Sequence, residues 1–181
     1  YILLPGEKVE IDPDELFASL SRAAGKLDAG LMSQIDMLCY CTFSPSPVLM
    51  REDGTLAYPN IVTHMDRRSR AQTDTILAKV GKDEFLNITG FYPFAGGAGV
   101  MTLLWFMENE PAVLRDVACF GHLPTYIHHK LTGCWMTDLV NASMMGLYDT
   151  VTQSGWSEEL LEKLDIPSAW LTDIRQPGTA F

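Results

Sequence analysis

Apolar residues recur at helical spacing in some stretches of this chain and run almost without a break in others, and that contrast predicts its elements. Asp12-Pro13-Asp14-Glu15 sets an N-cap, a first-turn proline and a capping-box glutamate in order, ahead of Leu16, Phe17, Leu20, Ala23, Ala24 and Leu27 at helical spacing. After Gly30, the segment from Ile35 to Phe43 is mostly apolar, as a strand covered on both faces would be, and predicts a central strand. Val48-Leu49-Met50 leads into an Asp53-Gly54 turn, with Asn60 to Thr63 as the expected returning edge of a hairpin.

Further along, Asp66 to Val80 and Lys82 to Ile88 predict two helices, and Thr89 to Gly99 a glycine-rich and aromatic loop suited to lie at the lip of a ligand site. Val100 to Val117 predicts a strongly apolar helix that Pro111 ends or restarts. Ala118 to Gly121 reads as a short buried strand, Leu123 to Leu131 as a helix stopped at Thr132-Gly133, and Thr137 to Asp149 as a small-residue segment closing on Leu147-Tyr148. Trp156-Ser157-Glu158-Glu159 caps a helix reaching Leu164, and a last turn runs from Asp165 to Leu171. Strands separated by helices, with a hairpin attached, make an α/β layered domain with a mixed sheet. The opening Tyr1-Ile2-Leu3-Leu4 is strand-like and lacks an initiator methionine, and Gly178 to Phe181 ends where another strand could begin, so the domain is expected to be incomplete at both ends.

Composition narrows the partners. At 181 residues, 47% hydrophobic and with a net charge of -10, the chain can fill one core but offers no basic patch for nucleic acid or an anionic membrane. A small neutral substrate fits that charge. The longest apolar stretch, Gly97 to Met107, is about half the ~20 residues of a membrane span, and the N-terminus has no signal-peptide layout, so a cytoplasmic protein is expected. Cys39, Cys41, Cys119 and Cys134 read as free thiols, because a CxC pair on a strand points to opposite faces.

Candidate chemistry is sparse. GxxxxGK[ST] and GxGxxG are absent, and Gly96-Gly97-Ala98-Gly99 reads either as a flexible loop or as an anion site at a helix start. His128 and His129 are adjacent and face different ways, and His64 beside Asp66 reads as a general base or as a structural edge residue. Asp66 and Arg67 follow a strand directly, where the aspartate can cap a helix and either residue can meet a ligand. Ser44-Pro45-Ser46-Pro47 is either a rigid turn or a pair of hydroxyls facing a polyol.

Five segments, taken in order, resemble the N-terminal domain of the FGGY carbohydrate kinases. They are Glu10 to Glu15; Asn60-Ile61-Val62-Thr63-His64-Met65-Asp66-Arg67-Arg68-Ser69; Leu103-Leu104-Trp105-Phe106-Met107-Glu108-Asn109-Glu110-Pro111; Leu131-Thr132-Gly133 with Thr137-Asp138 and Asn141-Ala142-Ser143; and Leu147-Tyr148-Asp149 with Trp156 to Leu161. The resemblance implies a ribonuclease H-like, actin-like ATPase domain, a mixed sheet flanked by helices. It further implies that the chain supplies the sugar-binding half of an enzyme that transfers phosphate from ATP, with Mg2+, to a hydroxyl of a sugar, ketose, polyol or sugar acid. Under it the catalytic aspartate lies beyond Phe181, the phosphate hairpin before Tyr1 and the ATP-binding domain elsewhere in the full-length chain. This chain alone is then expected to bind no ATP or Mg2+ and to be inactive, and a homodimer is possible.

The substrate shell implied by the resemblance is Ser44, Pro45, Ser46, Asp66, Arg67, Phe94, Gly96 and Gly97. Ser44, Pro45 and Ser46 stand where glycerol kinases carry arginine and glutamate and xylulose kinases carry methionine and histidine. Thr102 replaces the lysine of the family's first signature, and Thr125 an aspartate. Two other readings remain open: a kinase-like domain that binds or senses a polyol without phosphorylating it, and a structural member of the actin-like group.

Overall fold

The computed structural model describes residues 1–94, 96 and 98–176. Its first sheet joins β1 (Ile2–Leu4), β2 (Lys8–Ile11) and, after two intervening helices, β4 (Ile61–Val62), all antiparallel, with Glu10 opposite Val62 and Ile11 opposite Ile61. Between them, α1 (Pro13–Ala24) starts as its sequence predicts: the Asp12 carboxylate accepts from the Asp14 and Glu15 amides at 2.8 and 3.3 Å. A short α2 (Ala29–Met32) follows.

The second sheet pairs β3 (Pro47–Met50) with β5 (Cys119–His122), antiparallel, with Pro47 opposite His122 and Met50 opposite Cys119. Alternation along these strands divides the interior. Leu49 and Phe120 face a large cluster with Ile76, Phe85 and Leu103, while Val48, Met50 and Cys119 face a smaller one with Ile61, Leu123 and Tyr126. Both faces are therefore covered, which is why these strands read as apolar runs.

Helix α5 (Gly99–Asn109) runs through the large cluster and buries Val100, Met101, Leu103, Leu104 and Phe106. It stops where Pro111 cannot continue the hydrogen-bond ladder, and the chain goes on as a 3-10 turn over Pro111–Asp116. Helices α3 (Gln72–Lys79) and α4 (Lys82–Thr89) flank it through Ile76 and Phe85. Beyond β5 come α6 (Leu123–Thr132), β6 (Thr137–Asp138), α7 (Leu139–Met145), β7 (Tyr148–Asp149), β8 (Gly155–Trp156), α8 (Glu158–Lys163) and β9 (Ile174–Arg175). β6 and β9 pair in parallel and β7 with β8 antiparallel, so the small sheets are mixed.

Three expectations need correction. Ile35 to Phe43 forms no strand: Ile35, Met37, Leu38 and Tyr40 are 49, 73, 68 and 40% exposed, because among the described residues no strand lies alongside to pair their backbone groups. The Asp53-Gly54 turn does form, with Gly54 at φ 77° and the Arg51 amide donating to Thr55 at 2.8 Å. Its returning edge, however, is Leu56-Ala57, where the Ala57 amide reaches Leu49 at 2.7 Å, whereas Ile61–Val62 joins β2 instead. Finally, the helix expected from Asp66 begins only at Gln72, since the Asp66 carboxylate accepts from the amides of Arg68 and Val9 at 2.9 and 2.7 Å and so holds the chain in a turn.

Candidate functional site

Under α5 lies a buried charge cluster. Arg68 donates from Nε and Nη2 to the Asp66 carboxylate at 3.0, 3.1 and 2.9 Å and from Nη2 to Glu10 as well. The Tyr58 hydroxyl and Asn60 Nδ2 donate to the two Glu10 oxygens at 2.5 and 2.6 Å. Trp105 stacks over the guanidinium, its ring centre 5.1 Å from Cζ. Burial would raise the Glu10 pKa, but the hydrogen bonds from Tyr58, Arg68 and Asn60 outweigh it and hold it below its usual value. Burial likewise opposes the charge on Arg68, and the bonds to Asp66, Glu10 and Tyr58 hold its pKa above the usual arginine value. Both Asp66 oxygens are thus engaged within the protein. What the cluster does is fasten β2, β4 and the following turn beneath Trp105.

The Ser44-Pro45-Ser46 turn enters β3. Ser46 is buried and committed: its hydroxyl donates to the Phe43 carbonyl at 3.0 Å and accepts from the Leu123 amide at 3.2 Å. Pro45 is buried and follows a cis peptide bond from Ser44. Ser44 is half-buried, and its Oγ lies 3.4 Å from Nδ1 of His122, the last residue of β5.

Arg67 stands on the other side. Its Nη1 donates to the carbonyls of His64 and Asp66 at 2.7 and 3.0 Å, and Nε and Nη2 make no hydrogen bond among the described residues. Gly96 packs onto this guanidinium at φ 73°; a Cβ there would come 2.2 Å from Nη1, so only glycine fits. Arg67, Arg70, Thr73, Asp74, Pro93 and Phe94 line an open depression of about 440 Å3, into whose rim the 55% exposed Phe94 projects. Gly97 lies outside the described residues.

These pieces join into one ring of contacts. Phe43 packs on His64 with ring centres 5.5 Å apart, and the His64 carbonyl holds Arg67. Arg67 meets Gly96, and three residues on, Gly99 lies against the His122 ring, which returns to Ser44. Five of the eight residues expected in the substrate shell, Ser44, Pro45, Arg67, Phe94 and Gly96, lie on or beside this ring, while Ser46 and Asp66 face inward.

His122 is the residue that sequence reasoning missed. It is fully buried, and burial pushes its pKa down to about 4 against weaker support from Asn141 and Asp138. The available signal was a lone imidazole ending the apolar run Ala118 to Gly121. His129 instead stacks on Trp135, with ring centres 3.7 Å apart, and packs on Gly54. All four cysteines are free, and among the described residues no group of three His, Cys, Asp or Glu side chains gathers to hold a metal ion. No helix among them is long and apolar enough to cross a membrane.

Helices around small mixed sheets make an α/β domain of the actin-like class. The gluconate kinase of Lactobacillus acidophilus has this fold: it superposes with a TM-score of 0.84 over 99% of this chain and 36% of its own, at 23% identity. Residues 5–181 match the FGGY family of carbohydrate kinases, N-terminal domain, and the chain belongs to that family. It is 30% identical over 190 residues to a probable glycerol kinase of Caenorhabditis elegans, covering 97% of this chain and 37% of that protein. It is 32% identical over 139 residues to a rhamnulokinase of Pectobacterium carotovorum, covering 74% of this chain and 26% of that one. The chain thus spans little more than a third of the length of the curated relatives it matches.

Proposed function

We propose that this chain is the sugar-binding half of a cytoplasmic carbohydrate kinase that transfers the γ-phosphoryl group of ATP to a hydroxyl of a sugar, ketose, polyol or sugar acid. The observation that carries this reading is the family match running over residues 5–181; the chain of contacts linking Ser44 to His122 and Arg67 to Gly96 is consistent with it. In this reading ATP and Mg2+ are held by an ATP-binding domain of the full-length protein, which also supplies the carboxylate that takes the substrate proton. The residues of this chain bind and orient. Ser44 offers a hydroxyl, Arg67 offers Nε and Nη2 while its Nη1 is fixed by two carbonyls, and Phe94 supplies an apolar face for the carbon skeleton. Holding the acceptor hydroxyl in line with the phosphoryl group is the catalytic contribution such a half makes.

A second reading, a polyol-binding domain without transferase activity, is favoured by one observation: Ser46 turns inward and Pro45 has no polar side chain, so this turn presents a single hydroxyl. An ADP-release assay on the full-length protein, with ATP and Mg2+ against neutral polyols, ketoses and sugar acids, separates the two. Turnover on one class supports the kinase; sugar binding by calorimetry without turnover replaces it with the second reading.

A further inference from the structure

His122 brings two buried, unsatisfied atoms into question at once. Its Nε2 has no hydrogen-bond partner and sits against Gly99, where a Cβ would come within 2.7 Å. Asn141 Oδ1 is the other, also buried and unpartnered, although Asn141 lies near enough to His122 to favour the charged ring. The Asn141 amide nitrogen gives one of its two hydrogens to Asp138 Oδ2, at 2.8 Å, and the Asn141 atom left without a partner is the acceptor Oδ1. A neutral imidazole carries one donor nitrogen and one acceptor nitrogen. Placing its proton on Nε2 answers the Asn141 acceptor and leaves Nδ1 as an acceptor facing Ser44 Oγ at 3.4 Å.

We propose that His122 is a positioning residue of the sugar subsite: its Nδ1 takes the Ser44 hydroxyl hydrogen, which turns the Ser44 oxygen outward as an acceptor for a hydroxyl of a neutral polyol or ketose. The proposal rests on the reading of Ser44 as substrate-facing given above. Its consequence is a choice of substrate. A hydroxyl can donate to that oxygen, whereas a carboxylate can only accept and would meet lone pairs with no hydrogen between them. At this subsite the geometry selects a hydroxyl over the carboxylate group of a sugar acid. The ring is held in place for the task by Gly99 on one side and by the pairing of His122 with Pro47 on the other. Burial keeps it uncharged near neutral pH, with Asp138 the one charged group acting on it in opposition.

The test uses the full-length protein. Nitrogen-15 spectra of labelled histidine are expected to show His122 neutral, with the proton on Nε2, and its Nδ1 resonance is expected to move in Ser44→Ala. In the kinase assay, Ser44→Ala and His122→Phe each raise KM for the preferred neutral substrate about 5- to 10-fold with kcat little changed, the loss of one hydrogen bond. His122→Asn, whose amide can stand near the Nδ1 position, recovers most of it, and the double variant loses no more than either single one. A proton on Nδ1, or a KM that rises in Ser44→Ala but not in His122→Phe, overturns the proposal. If His122→Phe does not fold, the spectra and the Ser44→Ala shift still decide it. If the wild-type protein binds and turns over no sugar, the proposed function fails, while the proton position on His122 is still read independently.

Discussion

Glu10 and Arg68, 58 residues apart in sequence, form an ion pair whose side chains are 0 and 1% exposed. Neither partner can be removed cheaply, because the other is then left as an uncompensated buried charge. Arg68→Leu strands two carboxylates, Glu10 and Asp66, and is expected to cost roughly 3–5 kcal/mol, read as a shift of the urea midpoint. A loss under about 1 kcal/mol would mean that Tyr58 and Asn60 satisfy Glu10 unaided.

Gly99 should not tolerate a methyl group, and the cause is steric. A Cβ there would meet His122 Nε2 at 2.7 Å and Phe120 Cζ at 3.3 Å, both on the buried β5. Gly99→Ala is expected to destabilise by about 1–3 kcal/mol, as overpacking does, and to shift the His122 ring resonances. Thermal unfolding and a histidine spectrum check both parts.

Acid should weaken the fold through His122. Its pKa falls from 6.5 to about 4 on folding, so between those values the unfolded chain binds a proton that the folded one does not. The stability contribution is complete above pH 6.5 and is lost as the pH falls toward 4, with a total of roughly 3 kcal/mol. Glu10, whose folded pKa is lowered, acts in the same sense, its contribution being lost as the pH drops below the ordinary carboxylate value of 4.5. Urea unfolding measured across pH 4 to 7 should show the decline, flattened in its upper part in His122→Asn.

Losing the Asp12 cap should be felt locally. Asp12→Ala removes the acceptor for two amides and costs about 1 kcal/mol at the start of α1. Since α1 has no fully buried residue, amide exchange should speed up through its first turns and leave α5 unaffected.

What could be read from the sequence was whatever has a local cause. Asp12 and Ser157 bond to amides two or three residues away, and Pro111 acts on its own turn, so α1, α8 and the end of α5 were predictable. Leu123 to Leu131 and Ala118 to Gly121 were predictable for the same reason, one period each, the observed strand running one residue later at each end. The pairing of β2 with β4 joins segments about 50 residues apart and depends on Glu10 finding Asn60 and Arg68, which no spacing reveals. Ile35 to Phe43 has the composition of a strand, but composition supplies no neighbour to bond with. In the candidate site the turn at Ser44, the arginine at Arg67 and the glycines near α5 stood out by residue type. His122 did not: a single histidine has no periodicity, and its importance arises only when folding brings Ser44 and Gly99 to it.

The unladdered run from Ile35 to Phe43 has a practical consequence for handling the chain. It carries one charge, Asp36, among nine residues with no proline or glycine; Ile35, Met37, Leu38 and Tyr40 are exposed, and residues 36–41 make no backbone–backbone hydrogen bond among the described residues. Such a stretch is a template for cross-β growth, and concentrated solutions should clot by this route before the folded core loosens. A lysine at Met37, 73% exposed, would act as a gatekeeper and lengthen the lag before turbidity.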